Sequence, residues 1–508
     1  VQEATIRKKR SAFLSTLLGD TPGAMGGPRY AEAAFWTLCL CFFVVAGLQS
    51  FTLHYEFLSN NADLGFHNHL AYKFSHFKAP STTLWNVPDS TGNHYLKNCF
   101  GDHVTGLMPL NSQLYWIFGS YALLVAQILY MIVGARGLYQ LIAFKCKHTG
   151  LALFGVLLFF MHYSLYAALD FDAHDNVYGM MFLPWILYHY YKRNLRGFML
   201  CLVIFLIARD DLALTGISMG LSLLIFDWKR ERIYGLCCLG ISLGYFVLAF
   251  YFIIPHLSSL PSGGYNAWRF AALGSNIPEV IQTIVTRPGY TLSLFYNDPA
   301  KVEKFTYFLY TGGILVFFWP RFILFFIPTF LVTCLSGDWS LWGNLNHYNI
   351  IFGVLLPFLV MITVARFRHV FFRLALLVLA MHYYSTYLTI NFNRDWTHFG
   401  RIFSGEFYHR RETLPEIREM LKLIPPDAVV SGSSHLTPHL AARDTVLWYP
   451  DISHAEYIAL LDDKPELEFY PFHSLDDFNR SIEDLKADPD WELIYNKKNI
   501  LLFRRKKR

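Results

Sequence analysis

Asn61-Ala62-Asp63-Leu64-Gly65-Phe66-His67-Asn68-His69 follows closely on the first long apolar run of the chain, Phe35–Ser50. A carboxylate and two imidazoles just past the end of a membrane-length helix stand at the water boundary. Polar groups there can meet both a lipid-borne and a soluble reactant. The rest of the chain repeats the arrangement: apolar spans alternate with loops, and the loops on one side keep delivering acids and histidines.

The 508-residue chain is 54% hydrophobic and only 16% charged, where soluble domains carry about 25% charged residues. This composition selects a membrane protein. Gly197–Ile207 and Ile233–Ile254 are also near-continuously apolar, and a helix needs about 20 such residues to cross a bilayer. The 46 Phe and 31 Tyr fit helices whose aromatic ends sit at headgroup level. A net charge of +5 is small; nucleic acid is not among the expected partners. Of eight cysteines only Cys99 falls in an expected outer loop, so the thiols read as small core residues and not as a disulfide framework. The first apolar run has a polar, basic segment before it and no small-residue cleavage pattern after it, and is read as a retained span.

Arg7-Lys8-Lys9-Arg10 precedes span 1 (33–51), so the positive-inside rule puts segment 1–32 in the cytoplasm. Asp63 then falls outside, in a first outer loop (54–111) whose Leu64, Leu70, Phe74 and Phe77 suit a short helix lying in the interface. Spans 2 (113–134), 3 (151–168), 4 (177–190), 5 (198–207), 6 (212–226) and 7 (234–254) follow. Their inner ends carry Arg136, Lys145 and Lys147, then Lys192, Arg193 and Arg196, then Lys229, Arg230 and Arg232. A long outer segment (256–303) contains Gly263-Gly264-Tyr265 and Trp268-Arg269-Phe270. Spans 8 (305–318) and 9 (322–335) are joined by an inner turn at Trp319-Pro320-Arg321, span 10 (350–364) ends inside at Arg366 and Arg368, and span 11 (372–388) ends outside. The expected architecture is an α-helical polytopic membrane protein of about 11 transmembrane helices over residues 33–392. Beyond it, helical spacing at 414–423, strand-like 427–431 and 445–448, and alternation over 491–504 predict a small extracytoplasmic C-terminal α/β domain, 393–508.

Collected on the outer side are Asp63, His67, Asp102, His103, Asp172, His174, Arg209, Asp210, Asp211, Arg269 and His347. Ionisable groups near a bilayer are costly to place, so such a cluster marks a candidate site, although any one loop acid is as readily a solvated charge. Arg209-Asp210-Asp211 is the most informative, because no Gly, Pro or Ser loosens the chain around it. Charges held at or just below the interface need partners. Either Arg209 simply neutralises an aspartate, or it binds an anionic headgroup while an aspartate orients a ligand or metal. Carboxylate and imidazole also suit a divalent ion, with Asp102, His103, Asp172 and His174 as candidate ligands; no cofactor is certain. The same residue types suit general-base removal of a hydroxyl proton. His162 and Tyr163, inside span 3, read as a hydrogen-bonded core position. No His-Glu-x-x-His, Gly-x-Ser-x-Gly or P-loop pattern occurs.

These motifs, in this order, resemble a family of predicted bacterial membrane proteins known as domain of unknown function 2079. The matching pieces are Asp63-Leu64-Gly65, Phe100-Gly101-Asp102-His103, Phe171-Asp172-Ala173-His174, Arg209-Asp210-Asp211-Leu212-Ala213-Leu214 and His347-Tyr348. In the tail they are Ile424-Pro425-Pro426-Asp427-Ala428 and Pro438-His439-Leu440 with Arg443. Ala173 stands where the resemblance leads to an aromatic, and Asp175-Asn176 where it leads to Pro-Glu.

That family in turn resembles the GT-C superfamily of polytopic glycosyltransferases, whose members take a polyprenyl-phosphate-linked sugar from the membrane and transfer the sugar on the outer face. The resemblance implies a catalytic base at Asp63, with Asp102 or His103 beside it. It implies Arg209, Arg269, His174 and His347 at the donor phosphate, and His67, Asp172, Asp210 and Asp211 in support. It implies a multi-pass protein of the bacterial inner membrane with a cytoplasmic N-terminus and a periplasmic C-terminal domain. Its expected partners are the lipid-linked sugar, membrane lipids, an acceptor and other membrane subunits. Two rival readings are a non-catalytic subunit that keeps the fold and a transporter. A transporter should show interrupted helices in two related halves, and no such internal symmetry is visible in the sequence.

Overall fold

The computed structural model describes residues 28–88, 94–226, 228–258, 268–344, 346–367, 371–391, 411–468 and 471–506. Arg7–Arg10, Gly263-Gly264-Tyr265, Arg368 and the start of the expected C-terminal domain lie outside them. Helix α1 (Pro28–Tyr55) leads into a π-helical turn, Asn61–Gly65, and then α2 (Phe66–Ser75) and a hairpin of β1 (Ser81–Pro88) and β2 (His94–Asn98). Among the described residues five helical stretches are long and apolar enough to cross a membrane: Arg29–Tyr55, Met108–Cys146, Thr149–Asp170, Trp228–Leu257 and His347–Arg366. Leu195–Ala208, Leu212–Phe226 and Pro320–Cys334 are shorter apolar helices.

Several expected boundaries move, each for a local reason. Helix α3 (Ala122–Cys146) runs straight through Arg136, where an inner loop was expected. Glu32 on α1 pairs with the Arg136 guanidinium at 2.8 Å and the Phe35 and Tyr139 rings lie against it, so the charge is half-buried between two helices. Span 3 is broken into α4 (Thr149–Phe160) and α5 (Tyr163–Asp170) at His162, whose ring accepts the Ser164 N–H and caps the second piece. Span 4 divides into α6 (Asp175–Met180) and α7 (Leu183–Tyr191), because Pro184 has no N–H to continue the helix. After α8 (Leu195–Ala208), helix α9 (Leu212–Phe226) packs on α10 (Trp228–Val247) through Gly216 and Gly220. Lys229 and Arg230 lie in the first turn of α10 and not in a preceding loop.

Beyond an outlying helix α11 (Ile277–Thr286), span 8 is α-helical only to Tyr310 in α12 (Pro299–Tyr310). Gly312, at φ 106°, then turns the chain into a 3-10 stretch, Gly313–Phe318. Helices α13 (Ile323–Cys334), α14 (Ile350–Arg366) and α15 (Phe371–Asn391) complete the bundle. Lys145, Arg193, Glu231 and Arg321 gather at the Cys146 end of α3, where Arg193 pairs with Glu231 and Arg321 reaches the Tyr190 hydroxyl.

The C-terminal region forms a five-stranded sheet in the order β4-β3-β5-β7-β6, from β3 (Val430–Gly432), β4 (Val446–Trp448), β5 (Tyr457–Leu461), β6 (Trp491–Lys497) and β7 (Ile500–Arg505). Strand β3 runs parallel to β4 and β5; β7 is antiparallel to β5 and β6. Helices α16 (Leu414–Lys422), α17 (Thr437–Leu440) and α18 (Leu475–Ala487) flank it. Strand β5 and helix α18 are additional to the elements that the sequence predicts. The domain sits on the first loop: Arg411 N–H donates to Glu56 at 2.7 Å, the His69 ring bonds the Arg443 carbonyl at 3.2 Å, and Val446 N–H donates to Thr83 Oγ1 at 3.1 Å. The residues expected to float in the bilayer interface are therefore mostly covered by protein. Leu64 and Leu70 are buried and Phe74 half-buried, leaving Phe77 exposed.

Candidate functional site

Three loops meet at the end of the bundle that carries the π turn. Asp63 lies within that turn; the Asn60 side chain caps it by accepting the Asp63 N–H. One helical turn on, the His67 ring bonds the Asp63 carbonyl at 2.9 Å. The second loop, 171–174, is drawn in by Gln127, a fully buried side chain of α3. Its amide donates to the Ala168 and Asp172 carbonyls and its oxygen accepts the His174 N–H at 2.9 Å. That grip holds Asp172 at φ 62° and brings its carboxylate to the Asn60 N–H. The third element is Arg209-Asp210-Asp211, between α8 and α9.

Asp210 is wholly enclosed. Its Oδ1 accepts the His103 Nδ1–H at 3.1 Å and the Val104 N–H at 2.9 Å. With the Nδ1 proton pointed at a carboxylate, the Nε2 lone pair is left to accept from Arg209 Nη2 at 3.0 Å. The chain Asp210, His103, Arg209 thus fixes the guanidinium, with Asp211 3.6 Å from its Nε. Gly106 N–H donates to the Ile207 carbonyl at 2.7 Å and locks this part of the first loop onto α8.

Arg209 is the cation around which the other groups turn. Burial pushes the Asp63 carboxyl up to about 7, with nearby Asp172 raising it further and Asn60 and Arg209 opposing. Asp175, on the first turn of α6, is likewise raised to about 7 by burial against the pull of Arg209 and His103. Asp172 rises to about 6, again through burial. Burial holds the His67 ring down at about 4 and the His174 ring well below its ordinary value. The His174 ring stacks on His347 at 3.7 Å, and both bear on Arg209. Both His347 nitrogens are buried without a hydrogen-bond partner among the described residues.

Asp63, His67, His103, Asp172, His174, Arg209, Asp210, Asp211 and His347 therefore share one neighbourhood. Asp102 joins it from the His67 side. Arg269 stands at the edge, 3.1 Å from Asp338 and bonded to the Tyr348 hydroxyl, and acts on His347 and not on Asp63. The sequence does not single out Asp175; its position, where the family resemblance leads to Pro, is the one available signal. Asp175 Oδ1 is buried with no hydrogen-bond partner among the described residues, and Oδ2 is 3.9 Å from His67 Nε2. Among the described residues no three His, Cys, Asp or Glu side chains are arranged to share a metal ion. Of the four candidate ligands, His103 is engaged at both ring nitrogens.

This fold is similar to that of ArnT from Cupriavidus metallidurans, whose crystal structure holds undecaprenyl phosphate. The two align over 94% of this chain and 98% of ArnT, with a TM-score of 0.54 and 11% sequence identity. The likeness is one of fold. The chain belongs to the predicted membrane protein family DUF2079, which it matches over residues 53–501. No curated protein matches it.

Proposed function

We propose that this protein is a GT-C-type membrane glycosyltransferase that takes a sugar from a polyprenyl-phosphate donor on the outer face of a bacterial inner membrane. The observation that carries the reading is a half-buried carboxyl poised near neutrality, Asp63, within electrostatic reach of a cation, Arg209, that His103 and Asp210 hold in place. A base works best when its pKa lies near the working pH, and a preorganised cation is most effective where charge develops in a water-poor site.

In the proposed step the acceptor hydroxyl loses its proton to Asp63, and its oxygen forms a bond to the anomeric carbon of the sugar. The bond from that carbon to the phosphate oxygen breaks, and the electron pair stays on the phosphate beside Arg209. His103 serves as the group that orients Arg209, not as a second base, because both of its nitrogens are committed. His174 and His347 line the phosphate side as neutral rings, and Arg269 guards its edge. Asp102, Asp172 and Asp211 set the field around these groups. A cationic edge and an apolar bundle below it suit a lipid phosphate, as the undecaprenyl phosphate held by ArnT suggests.

The test is release of undecaprenyl phosphate from undecaprenyl-phosphate-linked sugars in proteoliposomes. The parent protein should turn over at least one such donor, and Asp63→Asn should abolish that release while the protein stays folded. Turnover retained in Asp63→Asn, or no donor consumed by the parent, overturns the reading.

A further inference from the structure

The turn that carries Asp63 is gripped from two sides. Leu64 packs into the bundle with Ala71, Met108 and Leu123. Asn61, Gly65 and Asn68 face the C-terminal domain instead. Asn61 N–H donates to Ser434 Oγ at 3.3 Å, and Asn68 Nδ2 to the Pro438 carbonyl at 3.4 Å. At Gly65 the approach is so close that a Cβ would lie 2.7 Å from Thr437 Oγ1. The same helix, α17, is pinned to the end of α1, where the His439 ring stacks on His54 at 4.0 Å and 7°. His435, bonded to Glu468 at 2.8 Å, faces Asp172 from this domain.

A π turn holds one residue more than an α turn and survives only where its surroundings impose it. Collapse to α geometry would swing a side chain by roughly 100° about the axis, the rotation of one helical residue. We infer that the C-terminal α/β domain is a positioning part of the site: Ser434 and Thr437 hold the Asn61–Gly65 turn and so set the direction of the Asp63 carboxyl. This rests on the reading of Asp63 as the base, but its geometry can be tested without turnover. Asn60, Asp172 and Arg209 face Asp63 from the other elements, and none of them is altered in the test.

The experiment uses the full-length protein in nanodiscs and a hydrophobic carbodiimide, which converts a protonated buried carboxyl to an N-acylurea that peptide mass spectrometry can locate. Ser434→Ala should change the labelling rate of Asp63 several-fold and speed amide exchange over residues 60–66, while labelling of Asp175, which faces His67, Arg209 and His103, stays at the parent rate. Gly65→Ala should act in the same direction, because its Cβ would press on Thr437 Oγ1 and push the turn off the domain. Parent-like Asp63 labelling in both Ser434→Ala and Gly65→Ala overturns the inference, as does an equal change at Asp175, which would mark general loosening. Failure of the transferase reading would show separately, as donor turnover retained in Asp63→Asn.

Discussion

Replacing Asp210 by Asn probes the site through a residue that no substrate can touch, because the side chain has no exposed surface. The carboxylate accepts from His103 Nδ1 at 3.1 Å and from the Val104 N–H at 2.9 Å, and its charge offsets Arg209. An Asn in the same place keeps an oxygen for both donors but loses the charge. A hydrogen bond to an ionised group contributes about 1.5–3 kcal/mol against about 1 kcal/mol for a neutral one, so the orientation of His103 and Arg209 should weaken by roughly 1–2 kcal/mol. If Arg209 binds the donor phosphate, the dissociation constant for undecaprenyl phosphate should rise about tenfold. Native mass spectrometry of the purified protein titrated with undecaprenyl phosphate reads that constant directly. Asp211→Asn is the comparison: its carboxylate stands 3.6 Å from the guanidinium Nε, beyond hydrogen-bond reach, so its removal should weaken donor binding less than Asp210→Asn does. Equal affinities for the parent and Asp210→Asn, with melting temperatures unchanged, would refute the Asp210, His103, Arg209 chain as the phosphate-binding device.

Donor turnover should fall on the acid side with a midpoint near 7, because a base raised to about 7 is protonated, and so silent, below that pH; a midpoint below about pH 5 would contradict a desolvated Asp63. His67, held down at about 4, should add no further limb near neutrality. Asp175→Asn should raise thermal stability at alkaline pH. With a folded pKa of about 7 against 3.8 unfolded, the native chain keeps a proton that the unfolded chain has lost. Stability then declines as pH rises between those values. The stabilisation should accordingly grow from about pH 4 to about pH 7 in a melting series, and its absence would remove the buried charge. Gly220→Ala should destabilise the α9–α10 contact by about 1–3 kcal/mol, since its Cβ would lie 2.6 Å from Leu239 N. Gly240→Ala, where a Cβ meets no described atom within 4 Å in the interior of α10, should hold or raise the melting temperature.

The sequence by itself determined the class. Apolar stretches such as Phe35–Ser50 and Ile233–Ile254 leave a chain no low-energy home outside a bilayer, and the loop motifs pointed to the family. It also picked out most of the charged groups that meet around Arg209, because ionisable residues flanking long apolar runs are few and costly to place.

What it could not decide were features that depend on partners far along the chain. Arg136 was expected in a loop and sits within α3, because Glu32 neutralises it from another helix. Which aspartate stands beside Arg209 and which beside Arg269 is likewise set by the packing of distant segments. Asp175 enters the site only because Gln127 folds the 171–174 loop inward. Composition and periodicity report local energetics, whereas a carboxyl's pKa and a turn's pitch are set by neighbours hundreds of residues away, as Ser434 is for Asn61. Only the packed chain brings those neighbours within reach.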